Sequence, residues 1–99
     1  MRTRGKLALV LVEEDASDQW LLGSPEDAWD SPARGNIIRP PLTYGQAVAG
    51  TESGDPPATL IAGRTYEVIL WRVLPAGSQQ PCQARYENMC MIALKPFIR

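Results

Sequence analysis

Residues 60–74, LIAGRTYEVILWRVL, place a glycine turn directly before a long run of β-branched and aromatic residues. Side chains of an extended chain alternate between two faces, so even-numbered residues from Tyr66 share one face and odd-numbered residues such as Ile69 share the other. Only Glu67 and Arg72 interrupt the apolar character of this run. A strand that is apolar on both faces is typical of the middle of a sheet whose second face is also partly covered.

The composition predicts a compact, turn-rich β protein. The 99 residues are 44% hydrophobic and 21% charged, and they include eight glycines and nine prolines. We expect residues 1–99 to form a single domain that buries roughly two-thirds of the surface of the unfolded chain. The net charge of −1 provides no general attraction to nucleic acid. No stretch approaches the roughly 18 apolar residues of a membrane-spanning helix.

Six segments have strand character and are separated by turn-rich sequence. They are residues 6–13, 19–22, 36–46, 58–61, 65–74 and 86–98. Residues 24–27, SPED, predict a one-turn helix in which Ser24 caps the first turn and Pro25 occupies its first position. The following residues, 30–35, contain proline and glycine and are expected to end that helix.

Leu60, Gly63 and Tyr66 form the pattern L-x-x-G-x-x-Y. It resembles the L-x-P-G-x-x-Y entry to the tyrosine-corner strand of fibronectin type III and other immunoglobulin-like sandwiches, with Ala62 in place of proline. Together with PPLTYGQA at residues 40–47, it is similar to small immunoglobulin-like domains of bacterial envelope proteins. The resemblance implies an all-β fold, an immunoglobulin-like antiparallel β-sandwich of about six or seven strands with one short helical crossover. It also implies a Tyr66 hydroxyl bonded to the backbone at the corner.

Cys82 and Cys90 are the only cysteines in the chain and lie eight residues apart. A hairpin or a wide loop between them would bring the two sulfur atoms within bridging distance, so one expectation is a disulfide bond. The other is a pair of reduced cysteines, of which Cys90 faces the core. The sequence leaves both alternatives open.

The residue types argue against catalysis. The chain contains no histidine, which removes imidazole bases, Ser–His and Cys–His pairs and histidine metal ligands. Its glycines are scattered singly, so no phosphate-binding loop is present. Acidic residues crowd the first third of the chain, but their spacing matches no EF-hand loop and is typical of solvated turns. We predict a protein that is not an enzyme and that holds neither a metal nor a cofactor.

Four residues are candidates for a binding surface: Trp29, Tyr44, Trp71 and Arg72. Exposed aromatic side chains are enriched at recognition surfaces. Packing inside the core is the alternative for Trp71, and for Trp20 in the second strand. Arg72 is an edge charge in that alternative, with its aliphatic stem along apolar surface.

We expect a non-catalytic module that binds a protein partner or an envelope component through a sheet face or an edge strand. The alternative is a small cytoplasmic inhibitor or immunity-type protein whose acidic first third blocks a basic site on an enzyme. The first and fifth predicted strands are apolar on both faces, so we expect a second copy or another protein to cover one of them.

The N-terminal apolar run, residues 7–12, is shorter than the hydrophobic region of a secretory signal and is followed by acidic residues. It therefore predicts a first strand. The expected location is the cell envelope or periplasm if an upstream signal was removed, and otherwise the cytoplasm.

Overall fold

The computed structural model describes residues 5–54 and 56–99, and six strands in these residues form one antiparallel sheet. The strands are β1 (Leu9–Glu14), β2 (Ser17–Gly23), β3 (Glu52–Ser53), β4 (Thr65–Val73), β5 (Arg85–Tyr86) and β6 (Met89–Ile98). Their spatial order is β3-β2-β1-β4-β6-β5. The predicted all-β class is confirmed. The six strands share one hydrogen-bonded sheet, and the two-sheet division of a sandwich stays a prediction.

Strand β4 lies between β1 and β6, as its apolar character on both faces predicts. It pairs with β1 from Glu67 to Trp71 and with β6 along its whole length. Its even-numbered residues Tyr66 and Leu70 belong to the main hydrophobic core, and the odd-numbered Ile69 is buried on the opposite face. We call these two faces the inner face and the outer face of the sheet.

The predicted strands at residues 36–46 and 58–61 are not strands in the structure. Residues 36–46 form only an isolated bridge between Leu7 and Ile38, and the peptide bond between Pro40 and Pro41 is cis. Prolines have no backbone N–H to donate to a strand ladder, so pairing cannot continue through them. Residues 36–48 and 56–61 instead cross the inner face without forming a strand, and we call them the irregular cover.

The strand boundaries differ from the sequence prediction near the end of the chain. Residues 86–98, predicted as one strand, divide into β5 and β6 around a tight turn in which Glu87 has a positive φ of 53°. Strand β3 was not predicted, because its two residues are polar and glycine follows them.

Cys82 and Cys90 form a disulfide, the first of the two alternatives that the sequence left open. The bridge ties the loop before β5 to β6.

Two short helical turns follow β2, a 3-10 turn at Glu26–Ala28 and helix α1 at Pro32–Gly35. The expected cap at Ser24 is wrong, because the Ser24 hydroxyl donates to the carbonyl of Ala8 (3.4 Å) and accepts from the Trp29 indole N–H (3.0 Å). The first helical turn ends at Ala28, before residues 30–35 as expected, but those residues form a second helix that the sequence did not predict. Proline suits the first position of a helix, and α1 begins at Pro32.

The inner face carries the main core. Its buried members come from the strands and from the segments that flank them: Leu7, Val10, Val12, Trp20, Leu22, Ile38, Tyr66, Leu70 and Ala93. Leu42, Tyr44, Val48 and Leu60 of the irregular cover pack against this cluster. Within the described residues, this segment therefore forms the other side of the core.

A smaller cluster lies at one end of the outer face, where Trp29 and Trp71 pack with Ala8, Val73 and Met89. Helix α1 approaches β4 closely there, since a Cβ on Gly35 would stand 2.6 Å from Val73 Cγ2. The Asn36 side chain accepts a hydrogen bond from the Val73 amide and donates one to the Val73 carbonyl, both at 2.8 Å. Among the described residues, no helix is long and apolar enough to cross a membrane.

Candidate functional site

The four residues predicted to bind do not meet at one surface. Tyr44 packs against the inner-face core, with its ring 5.2 Å from that of Trp20 in an edge-to-face arrangement. Trp29 and Trp71 are half-buried in the cluster at the end of the outer face. Arg72 donates a hydrogen bond to the carbonyl of Lys6 (2.9 Å). The structure therefore brings Trp29 and Trp71 together and places Tyr44 on the opposite face of the sheet.

The pairing register instead creates an apolar row across the middle of the outer face. Leu11 of β1 lies opposite Leu21 of β2 and Ile69 of β4, and Ile69 lies opposite Leu94 of β6. Residues directly opposite each other in an antiparallel pair project from the same face. Leu94 is 38% exposed, while Leu11 and Leu21 are half-buried. We call these four residues the leucine row.

An acidic row lies next to the leucine row on the same face. Glu13 of β1 is opposite Asp18 of β2 and Glu67 of β4, so three carboxyl groups stand side by side on neighbouring strands. Burial, then the charge and hydrogen bond of Asp18 and the charge of Glu67, raise the pKa of Glu13. Like charges directly opposite each other destabilise a sheet. The acidic row is therefore an unfavourable arrangement that a cation brought by a partner would relieve.

The acidic row does not amount to a metal centre. In residues 5–54 and 56–99, no group of three or more histidine, cysteine, aspartate or glutamate side chains is arranged to hold a metal ion. Glu14, beside the row, forms a salt bridge with Arg64 at 3.3 Å. Exposed pairs of this kind contribute little free energy. The chemistry of this face is therefore apolar contact beside negative charge.

The β6 edge continues the apolar character of the outer face. Strand β5 pairs with β6 only at Met89 and Cys90, so in the described chain no strand pairs with the Leu94–Ile98 end of β6 on the side away from β4. Ile98, opposite Thr65, is 72% exposed. Pro96 removes one backbone donor from this open edge, which limits pairing with another strand. The side chains of this edge, rather than its backbone, are the groups available to a partner.

A cavity of about 400 Å³ lies on the opposite, inner face. Its floor is the sheet, through Val10, Val12, Trp20, Val68, Leu70 and Phe97, and Leu7 closes one end. Its roof is the irregular cover, through Pro40, Pro41, Leu42, Tyr44 and Leu60. Ile98 and Arg99 complete the wall. The covering segment thus leaves space above part of the sheet that its own side chains do not fill.

Two tyrosine hydroxyls hold the cover in place around this cavity. Tyr44 Oη lies 3.0 Å from the carbonyl of Gln19 and 2.7 Å from that of Ala58, and burial together with Tyr66 raises the pKa of Tyr44. Tyr66 is 1% exposed, and its hydroxyl accepts a hydrogen bond from the Ile61 amide at 2.8 Å. The L-x-x-G-x-x-Y spacing predicts this second bond. Gly63 provides the turn between Leu60 and Tyr66 with a φ of 85°.

Sequence reasoning identified apolar outer faces on two strands but did not identify the residues that form the rows. Leu11 and Ile69 belong to those two strands, but nothing in the sequence indicated that Leu94 would lie beside Ile69. Their adjacency depends on register, which the sequence pattern of one strand does not contain.

Comparison of the chain with protein-family models, with curated proteins and with solved structures finds no significant match.

Proposed function

We propose that this chain is a non-catalytic binding module that uses the outer face of its sheet to bind a protein presenting apolar side chains next to basic ones. The observation that carries the proposal is the leucine row lying directly beside the acidic row. The exposed face of an antiparallel sheet is normally polar. Ile69 in the middle of the row is already buried, whereas Leu11, Leu21 and Leu94 keep apolar surface in water, and a protein that covers them removes that surface from solvent.

The charge of the acidic row favours the chemistry of this partner. Lysine or arginine side chains placed against Glu13, Asp18 and Glu67 offset the mutual repulsion of the three carboxylates, which are acceptors for such donors. Complementary charge at the rim of an apolar contact increases the association rate and excludes competitors. A second copy of this chain would add a second set of carboxylates to the same interface, so charge favours a different protein over a homodimer.

The same face accommodates the second function that the sequence suggests. In an inhibitor or immunity-type protein, the basic groups belong to the active-site surface of an enzyme, and the acidic row of this chain lies against them. The immunoglobulin-like interpretation is also part of the proposal. It is supported by the antiparallel sheet and by the hydrogen bond between Tyr66 and Ile61, which corresponds to the tyrosine corner.

Selection from a displayed random-peptide library tests the proposal. Peptides selected on the wild-type protein should combine aromatic or aliphatic residues with lysine or arginine. Leu94→Asp should abolish their binding, and Glu67→Gln should weaken it, because these changes alter the two rows separately. Tyr86→Asp is the matched control, since Tyr86 is an exposed aromatic residue (58%) outside both rows. Acidic peptides, no enrichment, or unchanged binding to Leu94→Asp would contradict the proposal.

Sedimentation velocity at micromolar concentration shows whether the outer face binds a second copy of the chain instead of a different protein. The proposal predicts a monomer for both the wild-type protein and Leu94→Asp. A wild-type dimer that dissociates in Leu94→Asp but not in Tyr86→Asp would replace the basic partner with a second copy of the chain. This outcome would preserve the outer face as an interface and overturn the assignment of its partner.

A further inference from the structure

The cavity on the inner face is separate from the proposed interface. It lies on the other side of the sheet from the leucine row, and it is bounded by the irregular cover rather than open as a flat surface. Its volume of about 400 Å³ falls within the range of roughly 300–1,000 Å³ that is typical of small-molecule sites. This is enough space for a ligand and far more than a packing defect between core side chains.

The lining of the cavity selects an apolar ligand. Of the fourteen described residues that line it, thirteen are uncharged, and the aliphatic or aromatic side chains of Val10, Val68 and Phe97 are typical of them. The Tyr44 hydroxyl is already engaged with the carbonyls of Gln19 and Ala58. The aliphatic and aromatic side chains of the lining offer water no hydrogen bonds, whereas a buried water usually makes about three. An apolar group is therefore a better occupant than water.

One charged residue completes the lining. Arg99 follows β6, and its backbone is held by hydrogen bonds with Gly63 and Arg64 at 3.1 Å each. Within the described residues its guanidinium makes no hydrogen bond or ion pair, and Arg99 is exposed. A guanidinium is a planar donor that matches a carboxylate. In the part of the chain that the structure describes, the cavity thus combines an apolar interior with one cationic side chain at its solvent side.

We propose that this cavity binds a single-chain apolar molecule that ends in a carboxylate, with the chain against the sheet and the carboxylate near Arg99. The apolar lining supplies most of the affinity through removal of the chain from water. Arg99 orients the ligand and distinguishes it from an uncharged molecule of the same length. The proposal does not depend on the proposed outer-face partner, because no residue of the leucine row or the acidic row lines the cavity.

Dodecanoate brominated at its terminal carbon is a direct probe, because bromine quenches tryptophan fluorescence at short range. Trp20 lines the cavity, whereas Trp29 and Trp71 lie in the cluster on the outer face. We expect saturable quenching that is lost in Trp20→Phe and retained in Trp71→Phe. Quenching that persists in Trp20→Phe would place the probe elsewhere and overturn the proposal, as would the absence of quenching in the wild-type protein.

Two variants separate the roles of the apolar lining and of Arg99. Val68→Phe fills the cavity and should abolish binding, whereas Thr65→Phe adds the same ring to the exposed opposite face of β4 and should leave it intact. Arg99→Gln should weaken dodecanoate binding roughly two- to fivefold, as expected for an exposed ion pair, without affecting dodecanol. Equal losses for dodecanoate and dodecanol would overturn the role of Arg99.

Methyl NMR spectra of the wild-type protein provide a test that needs no variant to fold. On addition of dodecanoate, the methyl signals of Val10, Val68 and Leu70 should shift, and those of Leu11 and Leu94 should not. Shifts confined to Leu11 and Leu94 would place the ligand on the outer face and overturn the cavity proposal. Because the two sets of methyl groups lie on opposite faces of the sheet, failure of the cavity proposal can be distinguished from failure of the outer-face proposal.

Discussion

The Tyr66 hydroxyl accepts a hydrogen bond of 2.8 Å from the backbone amide of Ile61, five residues earlier in the chain. This bond joins the central strand β4 to the turn that enters it and to the end of the segment that covers the inner face. The Tyr66 ring also stacks with that of Phe97 at 5.7 Å. One side chain therefore connects the turn, the strand and the neighbouring strand β6.

Replacement of Tyr66 by phenylalanine should lower the free energy of unfolding by roughly 0.5–1.5 kcal/mol, because the ring stays and only the acceptor of the Ile61 amide is lost. Urea denaturation measures the change. Tyr86→Phe removes an exposed hydroxyl and should change stability by no more than about 0.5 kcal/mol. Equal midpoints for the wild-type protein and Tyr66→Phe would remove the argument for a tyrosine corner.

Asn36→Ala should destabilise the fold by about 1–3 kcal/mol. The substitution removes both hydrogen bonds to the backbone of Val73 and leaves a partly buried amide and carbonyl without partners. Thermal and urea denaturation measure the loss. Asn88→Ala is the control, since no hydrogen bond of the Asn88 side chain is present in the described residues. Similar losses in the two variants would show that the Asn36 clamp is energetically unimportant.

Reduction of the Cys82–Cys90 disulfide should lower the free energy of unfolding by about 2–3 kcal/mol, as the chain-entropy model gives for so short a loop. Denaturation with and without a phosphine reductant measures this difference. The double variant Cys82→Ala/Cys90→Ala should be insensitive to the reductant. A wild-type mass that indicates free thiols after non-reducing purification would contradict the bridge.

Glu13→Gln should stabilise the protein at neutral pH, because burial and the carboxylates of Asp18 and Glu67 raise the pKa of Glu13 in the folded state. A raised pKa means that the folded state favours protonated Glu13. The wild-type protein therefore loses stability as the pH rises through that pKa. Glutamine does not ionise, so the Glu13→Gln variant does not lose stability in this way. The advantage of Glu13→Gln should be greatest near pH 7 and disappear below the ordinary glutamate pKa of 4.5.

Unfolding curves of both proteins across this pH range check the prediction. Glu26→Gln serves as the control, since Glu26 is exposed in the 3-10 turn and should show no comparable advantage. An advantage of Glu13→Gln that is constant with pH would mean that repulsion within the acidic row is not its cause. A wild-type protein that is the more stable of the two at pH 7 would have the same meaning.

The sequence by itself determined the features that depend on near neighbours in the chain. Alternating β-branched and aromatic residues make residues 65–73 an extended strand, because such side chains pack well on a pleated surface. The bond from Ile61 to Tyr66 spans five residues and a glycine turn, so its pattern is visible in one short segment. Residues 36–46 show the limit of this local information, because the sequence predicted a strand there and Pro40 and Pro41 cannot donate to its ladder.

Only the tertiary structure decided what stands beside what. Leu11 and Ile69 are far apart in the chain, and their contact depends on register, since a shift by one residue would turn either side chain to the other face. The acidic row depends on the same pairing of β1 with β2 and β4. The cavity depends on the path that the irregular cover takes across the inner face, which is set by distant anchors such as the bond between Tyr44 and Gln19. Local steric preferences determine the conformation of a segment, whereas long-range pairing and packing determine which segments contact it. Both proposed sites are formed by residues that are distant in the chain, so the sequence alone does not reveal them.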